Sequence, residues 1–187
     1  MELARSTIER YVPLKDEVWE AIAPLWHVRS FRKGEIISRA GTVENWLYIV
    51  DRGVQKLYFG HDGNEHCLGF SYDHSWSGDF DSFISRRPGR FDVQAVTDSV
   101  LIGIQHDDLH AMYDRSTVME RFGRLMIEEL IHGRATREIE LLTFTAEERY
   151  RKLLSRSPHL LQLVPQKDIA SYLRMTPETF SRLRAKG

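Results

Sequence analysis

The chain has 187 residues, 42% of them apolar and 28% charged, with a net charge of −1, a composition that supports one or two water-soluble domains with a real core. Its single cysteine, Cys67, excludes an internal disulfide and any zinc or iron–sulfur centre that takes four cysteines from one chain. The N-terminal stretch carries charges every few residues and no apolar run long enough for a signal peptide or a membrane span, so the expected location is the cytoplasm, with no membrane partner.

Residues 1–25 read as one or two short amphipathic helices. Their buried sides are Ile8, Tyr11 and Val12, then Val18, Trp19 and Ile22, and Pro13 and Pro24 punctuate them. From Trp26 the pattern changes to short runs with turn residues at regular intervals, the signature of an all-β sandwich or barrel. The expected strands are 26–31, 35–38, 46–50, 54–59, 65–70, 91–96 and 100–104. Asp51-Arg52-Gly53 and Asp62-Gly63-Asn64 are expected hairpin turns, because Gly and Asn accept positive φ.

Residues 116–143 form a proline-free, helix-compatible stretch carrying Phe122, Leu125, Met126, Leu130, Ile139, Leu141 and Leu142. The apolar spacing is irregular, which does not support a strict coiled coil, and Gly123 and Gly133 each weaken the helix by about 1 kcal/mol against Ala. The stretch is long and more apolar than one small barrel needs, so a dimer contact is expected; the alternative is a helix lying wholly on its own barrel. Thr145-Ala146-Glu147-Glu148 reads as a capping box that opens the next helix, with a hinge near Phe144. Ser157-Pro158 ends that helix, and residues 160–164 are expected to add a short strand or turn.

Residues 165–186 read as two short helices with a tight turn between them. Ile169 and Leu173 share one face, Ala170 is small where a second helix must cross closely, and Phe180 and Leu183 form the facing stripe. Arg174-Met175 makes the connection, Thr176 is a good N-cap, and Pro177 falls at the first helical position, where its missing N–H costs nothing. Glu178, Ser181, Arg182 and Ala185 then lie opposite Phe180 and Leu183, free to reach base edges and phosphates. From Thr145 onward there are nine basic residues against four acidic ones, a balance of +5 in a chain of net −1, and such asymmetry suits a polyanion partner. An ordinary helical hairpin with a solvated basic face is the competing reading.

This order of parts resembles the Crp/Fnr family of bacterial transcription regulators, whose barrel is a cyclic-nucleotide-binding-like jelly roll. In the barrel the resemblance is carried by Phe31-Arg32-Lys33-Gly34-Glu35-Ile36-Ile37, Gly41, Leu47-Tyr48-Ile49-Val50-Asp51-Arg52-Gly53 and Gly78-Asp79-Phe80. In the C-terminal part it is carried by Gln166-Lys167-Asp168-Ile169-Ala170 and by Thr176-Pro177-Glu178-Thr179-Phe180-Ser181-Arg182. It implies an α+β fold in which a jelly-roll sensor domain (1–115) and a connecting, dimer-forming helix (116–144) precede a helix-turn-helix domain (145–187). The wing that usually follows is absent or truncated, since the sequence stops at Gly187. The implied function is non-enzymatic: a homodimer that binds pseudo-palindromic double-stranded DNA. By the same resemblance Glu178 and Arg182 contact bases and Lys167 lies near a phosphate contact. With Thr176, Thr179, Ser181 and Lys186 they form the expected DNA-binding set. Pro177 occupies a further contact position with no side chain able to hydrogen-bond.

Family members that bind cyclic AMP carry Gly-Glu-Leu followed by an Arg-Ser/Thr-Ala run, in which the carboxylate holds the ribose and the arginine and a backbone turn hold the phosphate. This chain has Gly78-Asp79-Phe80 and then Arg86-Arg87-Pro88-Gly89-Arg90-Phe91. The arginine position falls on Gly89, and Phe91 replaces the small alanine. Gly78, Asp79, Phe80, Arg87 and Arg90 are therefore the expected lining of an effector pocket, in which Arg87 or Arg90 could meet a small anion. A cyclic nucleotide, another small ligand and no ligand all stay open, with control by cyclic AMP the least expected. No cofactor is expected. A metal site built from Asp79, Asp81, His61, His66 and His74 matches no motif. The four tryptophans read as packing, and neither a nucleophile elbow nor a P-loop is present. The competing function is a barrel-based ligand sensor acting through a protein partner, with the helical pair serving as packing.

Overall fold

A computed structural model describes residues 1–185. Helices α1 (Glu2–Glu9) and α2 (Asp16–Ile22), with a 3-10 turn at Ala23–Leu25, lead into strand β1 (Trp26–Phe31). Ile8, Val12 and Ile22 are buried as their spacing predicts, and Trp26 closes the same core. The chain continues as β2 (Ile36–Ser38), β3 (Trp46–Arg52), β4 (Val54–His61), β5 (Asn64–Tyr72) and β6 (Trp76–Ser77). Helix α3 (Phe80–Ser85), β7 (Asp92–Ala95) and β8 (Ser99–Gln105) follow. Antiparallel pairing builds two four-stranded sheets, β1-β8-β3-β6 and β2-β7-β4-β5.

The two expected hairpin turns part company. Asp62-Gly63 is one: both residues have positive φ, 49° and 74°, which matches the twist of the flanking strands, and His61 pairs with Asn64 across them. Asp51-Arg52-Gly53 is not a hairpin, because β3 and β4 belong to different sheets. Gly53, at φ 100°, instead carries the chain from one sheet to the other. A Cβ there would sit 2.4 Å from the Ser99 hydroxyl oxygen and 2.6 Å from the Asp98 carbonyl, so glycine is needed for space as well as for conformation.

Helix α4 (His106–Arg115) and helix α5 (Thr117–Thr143) close the barrel end. Ser116 caps α5 by accepting the Met119 N–H. The first half of α5 buries Met119, Phe122 and Met126 in the barrel core. The second half does not follow: Ile131, Ile139 and Leu142 are 63%, 60% and 78% exposed. The first half of the helix thus lies on its own barrel, and the second half leaves apolar side chains in water.

At Phe144 the backbone is extended, and the expected capping box then opens α6 (Ala146–Arg156) with both reciprocal bonds formed. Residues 160–164 correct the expectation of a strand or turn. They form a short helix, α7 (Leu160–Leu163), in which Leu160 and Val164 lie one turn apart and bury together. Helices α8 (Gln166–Tyr172) and α9 (Pro177–Arg184) complete the chain. Ile169, Ala170, Leu173 and Phe180 interlock with Tyr150 and Leu153 of α6 in a second core, which also takes in Val54 and Val96 of the barrel. Among the described residues no helix is long and apolar enough to cross a membrane.

Gly53→Ala is expected to destabilise the fold by about 2 kcal/mol or more, from positive-φ strain plus the clash with residues 98 and 99. A urea titration read by tryptophan fluorescence tests this, and an unchanged midpoint would contradict the role given to Gly53.

Candidate nucleic-acid interface and effector cavity

The α8–α9 pair is built as the sequence predicts. Arg174 takes positive φ, 55°, in the turn, and the Thr176 hydroxyl oxygen accepts the Thr179 N–H at 3.2 Å to start α9. Thr176 and Thr179 therefore serve first as the cap, and their hydroxyls also pair with each other at 3.2 Å. Glu178, Ser181 and Arg182 are exposed on the outer face of α9, opposite the fully buried Phe180. The Glu178 carboxyl is held below the usual carboxylate range by its own backbone N–H and the Thr176 hydroxyl, so it is an ionised acceptor at neutral pH. Lys167 is exposed in the first turn of α8 and lines the same groove as Thr176 and Pro177. Lys186 lies outside the described residues.

The basic balance of this region overstates its free charge. Arg151 pairs with Glu147, and Arg156 binds the buried Glu140 of α5 at 2.7 Å. Arg149 is spent on backbone carbonyls: its Nη1 donates to Phe144 at 2.5 Å, its Nε to Leu173 at 2.7 Å and its Nη2 to Arg174 at 3.2 Å. Lys167, Arg182 and Arg184 form no ion pair among the described residues.

Sequence reasoning missed the junction that holds the helical pair against the barrel. The Phe70 ring of β5 meets the Tyr172 ring of α8 edge-on, with centroids 5.2 Å apart, and the Arg137 guanidinium of α5 lies 3.8 Å from the Tyr172 ring centroid. Arg137 also donates to the Tyr172 carbonyl, and burial pulls its pKa below the ordinary arginine value. The Tyr72 and Ser157 hydroxyls pair, and Ser171 Oγ accepts the Cys67 N–H at 2.9 Å. Lys56, almost buried, reaches Glu65 at 2.7 Å and Asp168 at 3.6 Å. Burial alone would lower the Lys56 pKa, but the Glu65 bond and the two carboxylate charges outweigh it and the net shift is upward. Burial pushes the Cys67 thiol up to about 12, so it stays protonated and inert at neutral pH. Only pairwise packing marks these residues, and no spacing in the sequence announces it.

A cavity of about 490 Å³ opens between β5, β7, α3 and α5. Of the expected pocket residues it brings together Gly78, Phe80 and Arg90. Asp79 does not line it. Its Oδ1 accepts the Ser82 N–H at 3.2 Å as the α3 cap, and its Oδ2 would lie 2.3 Å from a Cβ on residue 89, which is why Gly89 stands there. Burial raises the Asp79 pKa. Arg87 is exposed and also stands outside the lining. The remaining walls come from residues not singled out in advance, chiefly Ile84, Phe91, Ile127, Leu130, Ile131 and Arg134. The histidines and aspartates weighed as a metal site are not gathered, and no cluster of three or more His, Cys, Asp or Glu side chains occurs among the described residues.

Residues 28–116 match the family model of the cyclic nucleotide-binding domain. The chain resembles FixK2 from Bradyrhizobium japonicum, with a TM-score of 0.75 and 21% identity over 86% of this chain and 83% of that one. It also resembles the catabolite activator protein of Thermus thermophilus (TM-score 0.55, 21% identity, 92% and 83% covered). A third likeness is to the c-di-GMP-responsive global regulator CLP of Xanthomonas campestris (TM-score 0.63, 17% identity, 92% and 91% covered). No curated protein sequence matches the chain. The chain therefore carries a cyclic-nucleotide-binding-type domain, and it shares its fold with regulators of the Crp/Fnr type.

Tyr172→Ala removes the platform on which Phe70 and Arg137 meet. Hydrogen exchange is expected to quicken at least tenfold in α8 and α9 while the sheet amides keep their protection. Equal protection in both proteins would show that the junction does not hold the helical pair in place.

Proposed function

We propose that this protein is a non-enzymatic Crp/Fnr-type transcriptional regulator that binds pseudo-palindromic DNA as a homodimer, with its jelly-roll barrel serving as the sensor. The observation that carries the reading is α9. It is capped, anchored by a fully buried Phe180, and presents Glu178, Ser181 and Arg182 to solvent on one face. A helix so held can enter a major groove without giving up core contacts. Arg182 suits a guanine edge and Glu178 a cytosine amino group, while Lys167 neutralises a phosphate.

Dimerisation is supported by the second half of α5, where Ile131, Ile139 and Leu142 leave an apolar stripe in water. At about 100° per residue, Leu142 lies about 20° and Ile139 about 80° round the helix from Ile131, so the three share one half of its surface. Two copies joined along this stripe would carry two α9 helices, and reading successive grooves requires these to stand about 34 Å apart. An effector in the cavity would act by preferring one arrangement of the Phe144 hinge. The competing reading, a sensor working through a protein partner, loses ground because the outer face of α9 is polar and exposed, with its apolar side already buried.

Selection of binding sites from random duplex DNA, followed by a mobility-shift series, tests the proposal. Arg182→Ala is expected to weaken the selected site by about 1–3 kcal/mol with little effect on random duplex. Lys167→Ala is expected to weaken all sequences alike and to lower the salt slope by about one. If both variants match the parent, the assigned roles are wrong. Ile139→Glu is expected to convert the dimer to monomer in sedimentation velocity and to abolish binding to the full palindrome. A parent protein that sediments as a monomer at tens of micromolar would refute the dimer.

A further inference from the structure

The cavity does not suit the ligand after which its domain family is named. A cyclic nucleotide brings ribose hydroxyls, a charged phosphate and a polar base edge, and each loses free energy if buried without a partner. The nearest acidic residue of the Gly78-Asp79-Phe80 turn caps α3 and lies under Gly89, outside the lining. The α5 wall presents Ile127, Leu130 and Ile131, and the opposite walls present Phe80, Ile84 and Phe91. The polar lining is Ser71, Ser85, Arg90, Arg134 and Asp81, and the one acidic group among them, Asp81, is already taken up by Arg90 rather than free to hold a ribose.

The charged groups at the cavity are not equivalent. Arg90 is already matched, since Asp81 holds it at 2.9 Å and its guanidinium lies 5.5 Å from the Phe91 ring centroid. Arg134 lines the same cavity and forms no ion pair among the described residues. Ile84 and Ile131, 57% and 63% exposed, are lining residues left in water. A volume of about 490 Å³ lies within the usual range for small-molecule sites.

We infer that this cavity binds an organic acid with one carboxylate and an apolar body, an aromatic or long-chain acid rather than a nucleotide. The carboxylate meets Arg134 in a charge-assisted pair, and the body packs on Phe80, Phe91 and the α5 side chains, covering Ile84 and Ile131. This identifies the effector class within the function proposed above. It rests on that reading only for what binding does to DNA; occupancy of the cavity does not depend on it.

Isothermal titration of the full-length chain with 2-naphthoate, decanoate, the uncharged 2-naphthalenemethanol and cyclic AMP tests the inference. One equivalent of naphthoate or decanoate is expected to bind at least tenfold more tightly than the neutral alcohol, and cyclic AMP more weakly than either acid. Arg134→Gln should remove the advantage of the acid over the alcohol. Ile84→Asp, at an exposed position where folding is not at stake, should weaken the acids more than the alcohol. The inference is overturned by equal affinity for acid and alcohol, by failure of both acids to bind, or by cyclic AMP binding more tightly than the acids. Acid binding by a chain that never retards duplex DNA would support the cavity assignment and remove the gene-regulatory reading. Sequence-specific DNA binding with no heat from either acid would do the reverse.

Discussion

The orientation of the helical pair depends on one guanidinium. Arg149 donates to the carbonyl of Phe144, where α5 stops, and to those of Leu173 and Arg174, where the chain turns from α8 into α9. Carbonyls at helix ends have no partner within their own helix, and a lysine has neither the fork nor the spread to serve three of them. The same side chain thus fixes the hinge and the turn, and through them the direction in which α9 leaves the body of the molecule. The capping box at Thr145 begins α6 within a residue of the Phe144 carbonyl, so the approach of Arg149 is set by the local fold of its own helix.

On the proposed reading, signal and output are linked by two contiguous routes. Helix α5 lines the cavity through Ile127, Leu130, Ile131 and Arg134, and less than one turn later Arg137 grips Tyr172. On the sheet side Phe70 borders the cavity and packs against the same tyrosine. A shift of either wall therefore reaches α8 without a flexible intermediary. Packing at core density makes such a junction respond in steps rather than by smooth deformation. A ligand can bias it only by the difference between its affinities for the two arrangements, so the energy of the Phe70–Tyr172–Arg137 contact sets how large that difference must be.

Much of the architecture was legible because it rests on local rules. Asp62-Gly63, the Thr176 cap, the Thr145 capping box and Pro177 at the first turn of α9 are each decided by a few adjacent residues, and all stand where the sequence puts them. The errors came where a distant partner decides. Asp51-Arg52-Gly53 has hairpin chemistry, but the register of β3 on β8 and of β4 on β7 sends the strands into different sheets. Residues 160–164 are too short to show a period, and the burial of Leu160 with Val164 settles them as helix. In the cavity a shared motif position misled: Asp79 follows Gly78 as an effector-binding acid would, yet its side chain serves the short helix α3, which the sequence did not reveal. The arginines of the junction carry no spacing signal at all, and a charge count assigned Arg149 and Arg156 to a polyanion when they belong to carbonyls and to Glu140.

On the proposed reading, that reassignment changes where affinity for DNA would come from. With Arg149, Arg151 and Arg156 engaged, the available charge among the described residues narrows to Lys152, Lys167, Arg182, Arg184 and the turn around Arg174. Lys167 faces a groove whose other side is the β4–β5 hairpin, with Glu65 within it. Glu65 also anchors Lys56, which reaches Asp168 beside Lys167. A phosphate brought to Lys167 would enter this groove beside the Glu65 carboxylate, whose charge Lys56 offsets only in part because it is shared with Asp168. Tight contact of the hairpin with α8 and tight contact of α8 with a duplex therefore oppose each other. A dimer can offset that opposition, because two α9 helices on one site share a single loss of translational freedom, whereas one helix bears the whole of it. Symmetry is thus an energetic requirement of this reading as well as a geometric one.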